Sequence, residues 1–178
     1  MPNKLYVLLS LLILSACAAA PEVPDAKVIP IKAFLSANRA LPYECLNYNA
    51  RNDTCKILAK RSVSGNILKL DVNFFQFLRY RGSVSVRIVS DFEIGQTAYC
   101  GNLENAVIEG QSTIIPPHIV EEILVALRKD LANEGTQCSE YLRDDEGRFY
   151  TRSRDRSGRA IGTTDRIWLF AEPKALSG

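Results

Sequence analysis

Residues 68–74, Leu-Lys-Leu-Asp-Val-Asn-Phe, form the most regular pattern in the chain. Apolar residues occupy every second position, and polar residues occupy the positions between them. Because side chains along a β-strand point alternately to its two faces, this stretch predicts a strand with one buried and one hydrated face. We therefore expect the fold to be built around a sheet.

Two further strands are predicted next to this one. Residues 54–63 precede it, and the turn signal at 64–66 (Ser-Gly-Asn) joins the two into a predicted hairpin. After a second turn signal at Arg81-Gly82, Val84, Val86 and Ile88 alternate with polar residues, which predicts a third strand reaching Phe92. Three successive strands joined by short turns predict an antiparallel meander.

One main helix is predicted over residues 119–132. Pro116-Pro117 precedes it, and Gly135 suits its C-terminal cap. Its apolar residues recur at helical spacing on one stripe: Ile119, Val120, Ile123, Leu124, Leu127 and Leu131. We expect this stripe to cover a sheet face, with a partner-binding helix as the alternative.

The remaining segments complete a predicted α+β fold. Residues 141–143 and 148–152 predict strands that flank the polar turn 144–147, and residues 166–170 predict a final strand. Residues 31–38 are interpreted as a short helix or a loop. The expected fold class is an antiparallel sheet of about five or six strands with one main amphipathic helix and two disulfides.

The N-terminus is typical of an export signal. Lys4 precedes an apolar run over residues 5–14, which is shorter than the roughly 20 residues that a transmembrane helix needs. The run ends in Leu14-Ser15-Ala16-Cys17. The alternative is an ordinary secretory signal, with a cleavage site provided by residues 18–20 (Ala-Ala-Ala).

Leu14-Ser15-Ala16-Cys17 resembles the lipobox of bacterial lipoproteins. The resemblance covers these four residues and the apolar run before them. It implies cleavage before Cys17, a diacylglycerol on its thiol and a further acyl chain on its amine. Ala18 in the next position implies, by the same resemblance, sorting to the outer membrane.

The predicted domain organisation follows from this signal. We expect a signal peptide over 1–16, a lipidated cysteine and tether over 17–30, a single globular domain over 31–173 and a tail over 174–178. Within the tether, Lys27-Val28-Ile29 either stays extended or packs on the domain as an edge strand. The chain that remains after cleavage is long enough to bury a real core.

Four cysteines remain once Cys17 carries lipid: Cys45, Cys55, Cys100 and Cys138. An even number in an exported chain predicts two disulfides, and three pairings are open. We favour Cys45–Cys55, which closes a short polar loop, and Cys100–Cys138, which ties together the segments before and after the helix. No metal site is expected, because the spacings are not those of zinc ligands and His118 is the only histidine.

No catalytic site is predicted from the sequence. His118 lies beside two prolines at a helix start, and we interpret it as a solvent-facing residue. The acidic run Asp144-Asp145-Glu146 is interpreted as a hydrated turn. Since the net charge of +2 falls to about +1 when Lys4 is removed with the signal, nucleic acid is not an expected partner.

An arginine cluster in the C-terminal third is the candidate anion-binding site. Five arginines face one acid, Asp155, between residues 148 and 159: Arg148, Arg152, Arg154, Arg156 and Arg159. Guanidinium groups bind phosphate and carboxylate in a bidentate manner. The hypothesis is that this segment contacts an anionic envelope component, and the alternative is that its charges pair with nearby acids.

An aromatic group near the end of the second strand comprises Phe74, Phe75, Phe77 and Tyr80. Phe74 belongs to the buried face, whereas Phe75 and Phe77 fall on the other face. We expect core packing, with an apolar ligand pocket as the alternative.

The predicted function is that of a non-enzymatic envelope lipoprotein. It would bind or scaffold a partner protein or an anionic envelope component at the periplasmic face of the outer membrane, held there by lipid on Cys17. No cofactor is expected. The alternative is a lipid-anchored periplasmic enzyme, such as a hydrolase of envelope polymers.

Overall fold

The computed structural model describes residues 26–78, 82–155 and 157–177, so the expected lipidation site at Cys17 lies outside the described residues. This part of the chain holds two helices, α1 (Ile31–Ala37) and α2 (Pro117–Glu134), and a 3-10 turn at Leu103–Asn105. Its strands are β1 (Lys27–Ile29), β2 (Tyr43–Leu46), β3 (Thr54–Cys55), β4 (Ile57–Ser64), β5 (Ile67–Leu78), β6 (Gly82–Ile94), β7 (Ala98–Asn102), β8 (Val107–Gln111), β9 (Thr136–Arg143), β10 (Phe149–Arg154), β11 (Ala160–Phe170) and β12 (Ala175–Leu176).

Eight of these strands close into a barrel. The order around it is β9, β10, β11, β2, β4, β5, β6 and β7, with every neighbouring pair antiparallel, and β7 pairs in turn with β9. β1 pairs with the part of β9 that β7 does not reach, and β8 pairs with the part of β6 that β7 does not reach. The predicted meander is confirmed, since β4, β5 and β6 are consecutive antiparallel neighbours.

The predicted fold class is therefore wrong. The expectation was an α+β sheet of five or six strands with one main helix, whereas the protein is mostly β, a closed barrel of eight strands with two helices. The alternating pattern identified the long strands but not the short ones, such as Tyr43–Leu46 and Ala98–Asn102. Closure depends on β7 pairing with β9, about 40 residues later in the chain, and local periodicity carries no signal for such a pairing.

The interior of the barrel is filled by side chains at the end where α1 lies. Ile31 and Phe34 of α1 are buried and close this end, and the Phe34 ring stacks on Tyr141 with 3.8 Å between ring centroids. The other buried members of this cluster come from the strands: Leu68, Leu70, Phe92, Ile94, Tyr99 and Ile167. An eight-stranded barrel has room for such a packed interior and little more.

α2 packs against the other part of the long β5–β6 hairpin, where β8 extends the sheet. Val120 and Leu124 are its buried residues, and they join Val84 and Val86 of β6. Gly110 on β8 allows this contact, because a Cβ there would lie 2.8 Å from Leu124 Cδ2. The predicted helix is confirmed with slightly wider bounds, and Gly135 ends it with φ of 66°. Neither helix of the described residues is long and apolar enough to cross a membrane.

Both disulfides favoured from the sequence are present. Cys100 and Cys138 are direct partners in the β7–β9 ladder, so this bond joins the two strands whose pairing closes the barrel. Cys45–Cys55 links β2 to β3 on the outside of the barrel, where both cysteines are fully buried under a cluster that includes Trp168. β12 pairs with β3 and covers this cluster.

Both predicted terminal segments contribute strands. Lys27–Ile29 pairs with β9 as β1, which is the second of the two expectations for this piece of the tether. Ala175–Leu176, within the predicted tail, forms β12.

Candidate functional site

A cleft of about 600 Å³ opens beside α1 at the closed end of the barrel. α1 and the loop after it form one wall, and β4 with the β4–β5 turn forms the other. Its lining mixes cations with apolar side chains, namely Lys32, Leu35, Arg39, Arg61, Val63 and Ile94. No acidic side chain of the described residues lines it. The cleft is therefore suited to an anion that carries apolar groups.

Two of the three cations in this cleft are available to a ligand. The side chains of Lys32 and Arg39 are exposed, and they have no hydrogen-bond or ion-pair partner in the described part of the chain. The third, Arg61, lies beneath them with only 6% of its surface exposed. It forms part of the cleft floor, and its charge is paired with Glu44.

Arg61 belongs to a buried polar network inside the barrel. Its Nε lies 2.9 Å from Oε1 of Glu44 as an ion pair without hydrogen-bond geometry. Its Nη2 donates a hydrogen bond of 2.6 Å to the Leu41 carbonyl oxygen, and its guanidinium stands 5.0 Å from the centroid of the Phe34 ring. Glu44 also accepts a hydrogen bond from the Tyr141 hydroxyl. The network therefore connects the core of α1 to β2, β4 and β9.

Burial dominates the ionisation of this network. Desolvation raises the pKa of the Glu44 carboxyl, although the Arg61 cation and the Tyr141 hydroxyl oppose that rise. Desolvation and the nearby Glu44 also raise the pKa of Tyr141 well above its usual value, and that of Tyr99 to about 12. Glu44 and Tyr141 are both buried among the described residues, and Arg61 is the network member that lines the cleft. The network therefore links α1 to the strands around it.

The arginine cluster predicted from the sequence is paired within the chain. Arg148 contacts Asp144 at 2.6 Å and Glu146 at 2.7 Å. Arg152 and Arg154 share Glu140, and Arg159 pairs with Asp155. Arg156 lies outside the described residues.

Four arginines thus meet four carboxylates. Although desolvation raises the pKa of Glu140, hydrogen bonds from Arg152 and Arg154 lower it below its usual value overall. This arrangement favours the alternative in which the cluster pairs with nearby acids, and its anion-binding role stays a prediction.

Asp144 differs from the hydrated turn residue expected from the sequence. It is 8% exposed and accepts hydrogen bonds from the Arg148 backbone and guanidinium and from the Tyr150 hydroxyl. Desolvation raises its pKa, but these bonds outweigh it and hold the pKa at about 2. Asp145 and Glu146 are both exposed, as a turn predicts. Asp144 therefore orders the β9–β10 turn.

The other candidate residues lie apart from the cleft. His118 is exposed in the first turn of α2. Phe74 packs into the cluster under α2, as expected. Phe77 lies on the opposite face with 56% of its surface exposed, 6.4 Å from the Phe75 ring. Tyr80 lies outside the described residues. The aromatic group is therefore divided between the core and an exposed face.

The sequence patterns did not point to the cleft residues Lys32 and Arg39 or to the buried Arg61–Glu44 pair beneath them. One signal was present for the pair. Arg61 comes two residues after Ala59 on β4, and Glu44 comes two residues before Leu46 on β2. Because side chains alternate along a strand, each charged side chain points to the same inward face as its apolar neighbour. Lys32 and Arg39 carry no comparable signal, because an isolated cation on a short helix is ordinary surface.

No protein-family model, no curated protein and no solved structure matches this chain.

Proposed function

We propose that this protein is a lipid-anchored binding protein of the bacterial cell envelope. The proposal has the chain exported, cleaved before Cys17 and held by lipid at the periplasmic face of the outer membrane. The resemblance of Leu14-Ser15-Ala16-Cys17 to a lipobox supports the anchor. The two disulfides support export, since such bonds form and persist in oxidising compartments.

The cleft beside α1 is the observation that carries the binding role. It is concave, and it presents Lys32 and Arg39 without a competing acid of the described residues. A hydrolase of envelope polymers needs positioned acid and base groups that a substrate can reach. The carboxyl whose pKa is raised by burial, Glu44, lies inside the barrel instead. The ligand class favoured by the lining is an anion with apolar groups.

The anchor is tested by mass spectrometry of the full-length protein expressed in a bacterial host. The expected product begins at Cys17, carries a diacylglycerol and has four cysteines in disulfides. Cys17→Ser is expected to lose the lipid and leave the membrane fraction. An uncut amino terminus or free thiols throughout would overturn the proposal.

Binding is separated from catalysis by incubating the lipidated protein with purified peptidoglycan sacculi and with phospholipid vesicles. Because the lipid on Cys17 inserts into any vesicle, we expect binding to appear as slower amide exchange at the cleft with one of these anionic materials, with no release of soluble fragments. Steady release of fragments that scales with protein concentration would instead establish the enzyme.

A further inference from the structure

The tether enters the domain at the same end as the cleft. β1 begins at Lys27, which stands opposite Arg143 at the β9–β10 turn, and its ammonium lies 3.5 Å from Asp145. β1 leads directly into α1, where the Ile31 amide donates to the Gln96 carbonyl of the β6–β7 turn. The lipid-bearing part of the chain therefore joins the barrel beside α1 and not at the opposite end.

The length of the tether limits how far this end can lie from the membrane. Nine residues, 18–26, separate Cys17 from Lys27. A fully extended chain covers at most about 3.6 Å per residue, so the ten steps from Cys17 to Lys27 span at most about 36 Å. With lipid on Cys17, the α1 end is thereby kept within about this distance of the membrane surface. The tether thus supplies a high effective concentration of any lipid ligand.

The α1 end has the chemistry of a membrane-contacting surface. Lys32 and Arg39 have no ion-pair partner among the described residues, and Val63 beside them is 52% exposed. A second cleft of about 550 Å³ on the other side of α1 has apolar walls that include Val28 and Ala33. Among the described acids at this end, Asp145 pairs with Lys27, and Glu93 lies on the outer face of β6 and does not line the cleft.

We infer that the α1 end of the barrel docks on an anionic phospholipid surface, with Lys32 and Arg39 binding headgroup phosphates and Val63 entering the interface. This inference rests on the lipid anchor proposed above. It names the ligand of the cleft as the phosphate-bearing head of a membrane lipid. It also orients the barrel, with α1 toward the membrane and the exposed Phe77 region away from it.

The strength of this contact follows from its two cations. A lysine or arginine near an anionic membrane surface contributes about fivefold to binding at physiological salt. Removing both cations is expected to lower the equilibrium constant for docking about 30-fold. Added salt should weaken docking in the same direction, since the Debye length shortens to about 3 Å at 1 M.

The test uses the lipidated full protein in vesicles of phosphatidylcholine alone or mixed with phosphatidylglycerol. Hydrogen exchange of the backbone amides reports which end of the barrel is covered. We expect slower exchange over α1 and the β4–β5 turn in the mixed vesicles than in the neutral ones. The double variant Lys32→Ser/Arg39→Ser should lose this difference.

The matched control is Arg51→Ser/Lys129→Ser, which removes the same charge from exposed positions away from α1 whose side chains have no ion-pair partner among the described residues. It should keep the protection over α1. Equal exchange in both kinds of vesicle would overturn the inference, as would protection at Phe77 and Ile114 in place of α1. Protection produced by inorganic phosphate with neutral vesicles would also overturn it, because the ligand would then be a free anion.

Failure of the anchor is separated from failure of docking by flotation. If the protein does not float with either vesicle, the proposed lipidation is wrong. If it floats with both vesicles but α1 shows no protection, the anchor stands and the docking inference is wrong.

Discussion

Arg61→Met is the substitution that most directly tests the buried network. In the folded protein, the Arg61 and Glu44 side chains are 4% and 5% exposed, with 2.9 Å between Nε and Oε1. The substitution removes this ion pair, the hydrogen bond to Leu41 and the contact with the Phe34 ring. Glu44 is then left in the barrel with the Tyr141 hydroxyl as its donor.

The expected loss of unfolding free energy is large because the Glu44 carboxylate stays buried without its cationic partner. Breaking a buried ion pair by removing one partner costs about 3–5 kcal/mol. Arg143→Met serves as the control, since Arg143 also stands over an aromatic ring, at 5.6 Å from Phe149, but on the exposed surface. That contact contributes only about 0.5–1 kcal/mol. The free energy of unfolding in urea should therefore separate the two variants clearly.

The pH dependence identifies the cause of the loss. Burial raises the folded-state pKa of Glu44 above its unfolded value of about 4.3. Removing Arg61 removes an interaction that lowers this pKa, so it rises further. A group of this kind favours folding below the unfolded pKa and loses that contribution as pH rises through the folded pKa. The difference in unfolding free energy between the wild type and Arg61→Met should thus be smaller near pH 4.5 than at pH 7.

A double variant tests whether the unpaired Glu44 carboxylate causes the loss of stability. Glu44→Gln/Arg61→Met leaves no charge in the barrel and should be more stable than Arg61→Met alone, because the two effects are strongly coupled. If Arg61→Met lowers the free energy of unfolding by less than about 1 kcal/mol, or by an amount that does not change with pH, Glu44 is not left as an unpaired buried charge.

Two further perturbations test the barrel seam and the β9–β10 turn. Cys100→Ser/Cys138→Ser opens a loop with a sequence separation of 38, which corresponds to about 4 kcal/mol of stability by loop entropy. Unchanged urea unfolding of this variant would contradict a stabilising role for the bond. Asp144→Asn should destabilise the protein at pH 7, and the difference should shrink as pH falls from about 4 toward 2, because the carboxylate stabilises the fold only while ionised. A difference that stays constant down to the acid limit would argue against the ion pair with Arg148.

The local elements were predictable because their information is local. Alternation over residues 68–74 identified β5, and the stripe from Ile119 to Leu131 identified α2. The turn glycine after β4 and the glycine after α2 marked real boundaries, each with positive φ. Both favoured disulfides form, one closing a short polar loop and the other joining the segments before and after the main helix.

Barrel closure and the cleft were not predictable for the same physical reason. The β7–β9 ladder pairs Cys100 with Cys138, and the buried network brings Glu44 to Tyr141, 97 positions later. A contact of this kind depends on the twist and stagger of every strand between its partners. The arginine cluster shows the converse, since the four arginines of it that the structure describes pair with acids from β9 and the turns, which the sequence pattern alone did not establish.

Local patterns in the sequence were enough to predict the strand meander and the main helix, and the positions of the cysteines favoured, among three open pairings, the two disulfides that form. The export signal stays a prediction from the N-terminal residues. Each of these rests on neighbours along the chain or on a count of residues. Only the tertiary contacts show that the sheet closes, that Glu44 and Arg61 share its interior, and that Lys32 and Arg39 have no ion-pair partner among the described residues at its α1 end. These outcomes depend on which distant strands meet, because burial and pairing are properties of three-dimensional neighbours.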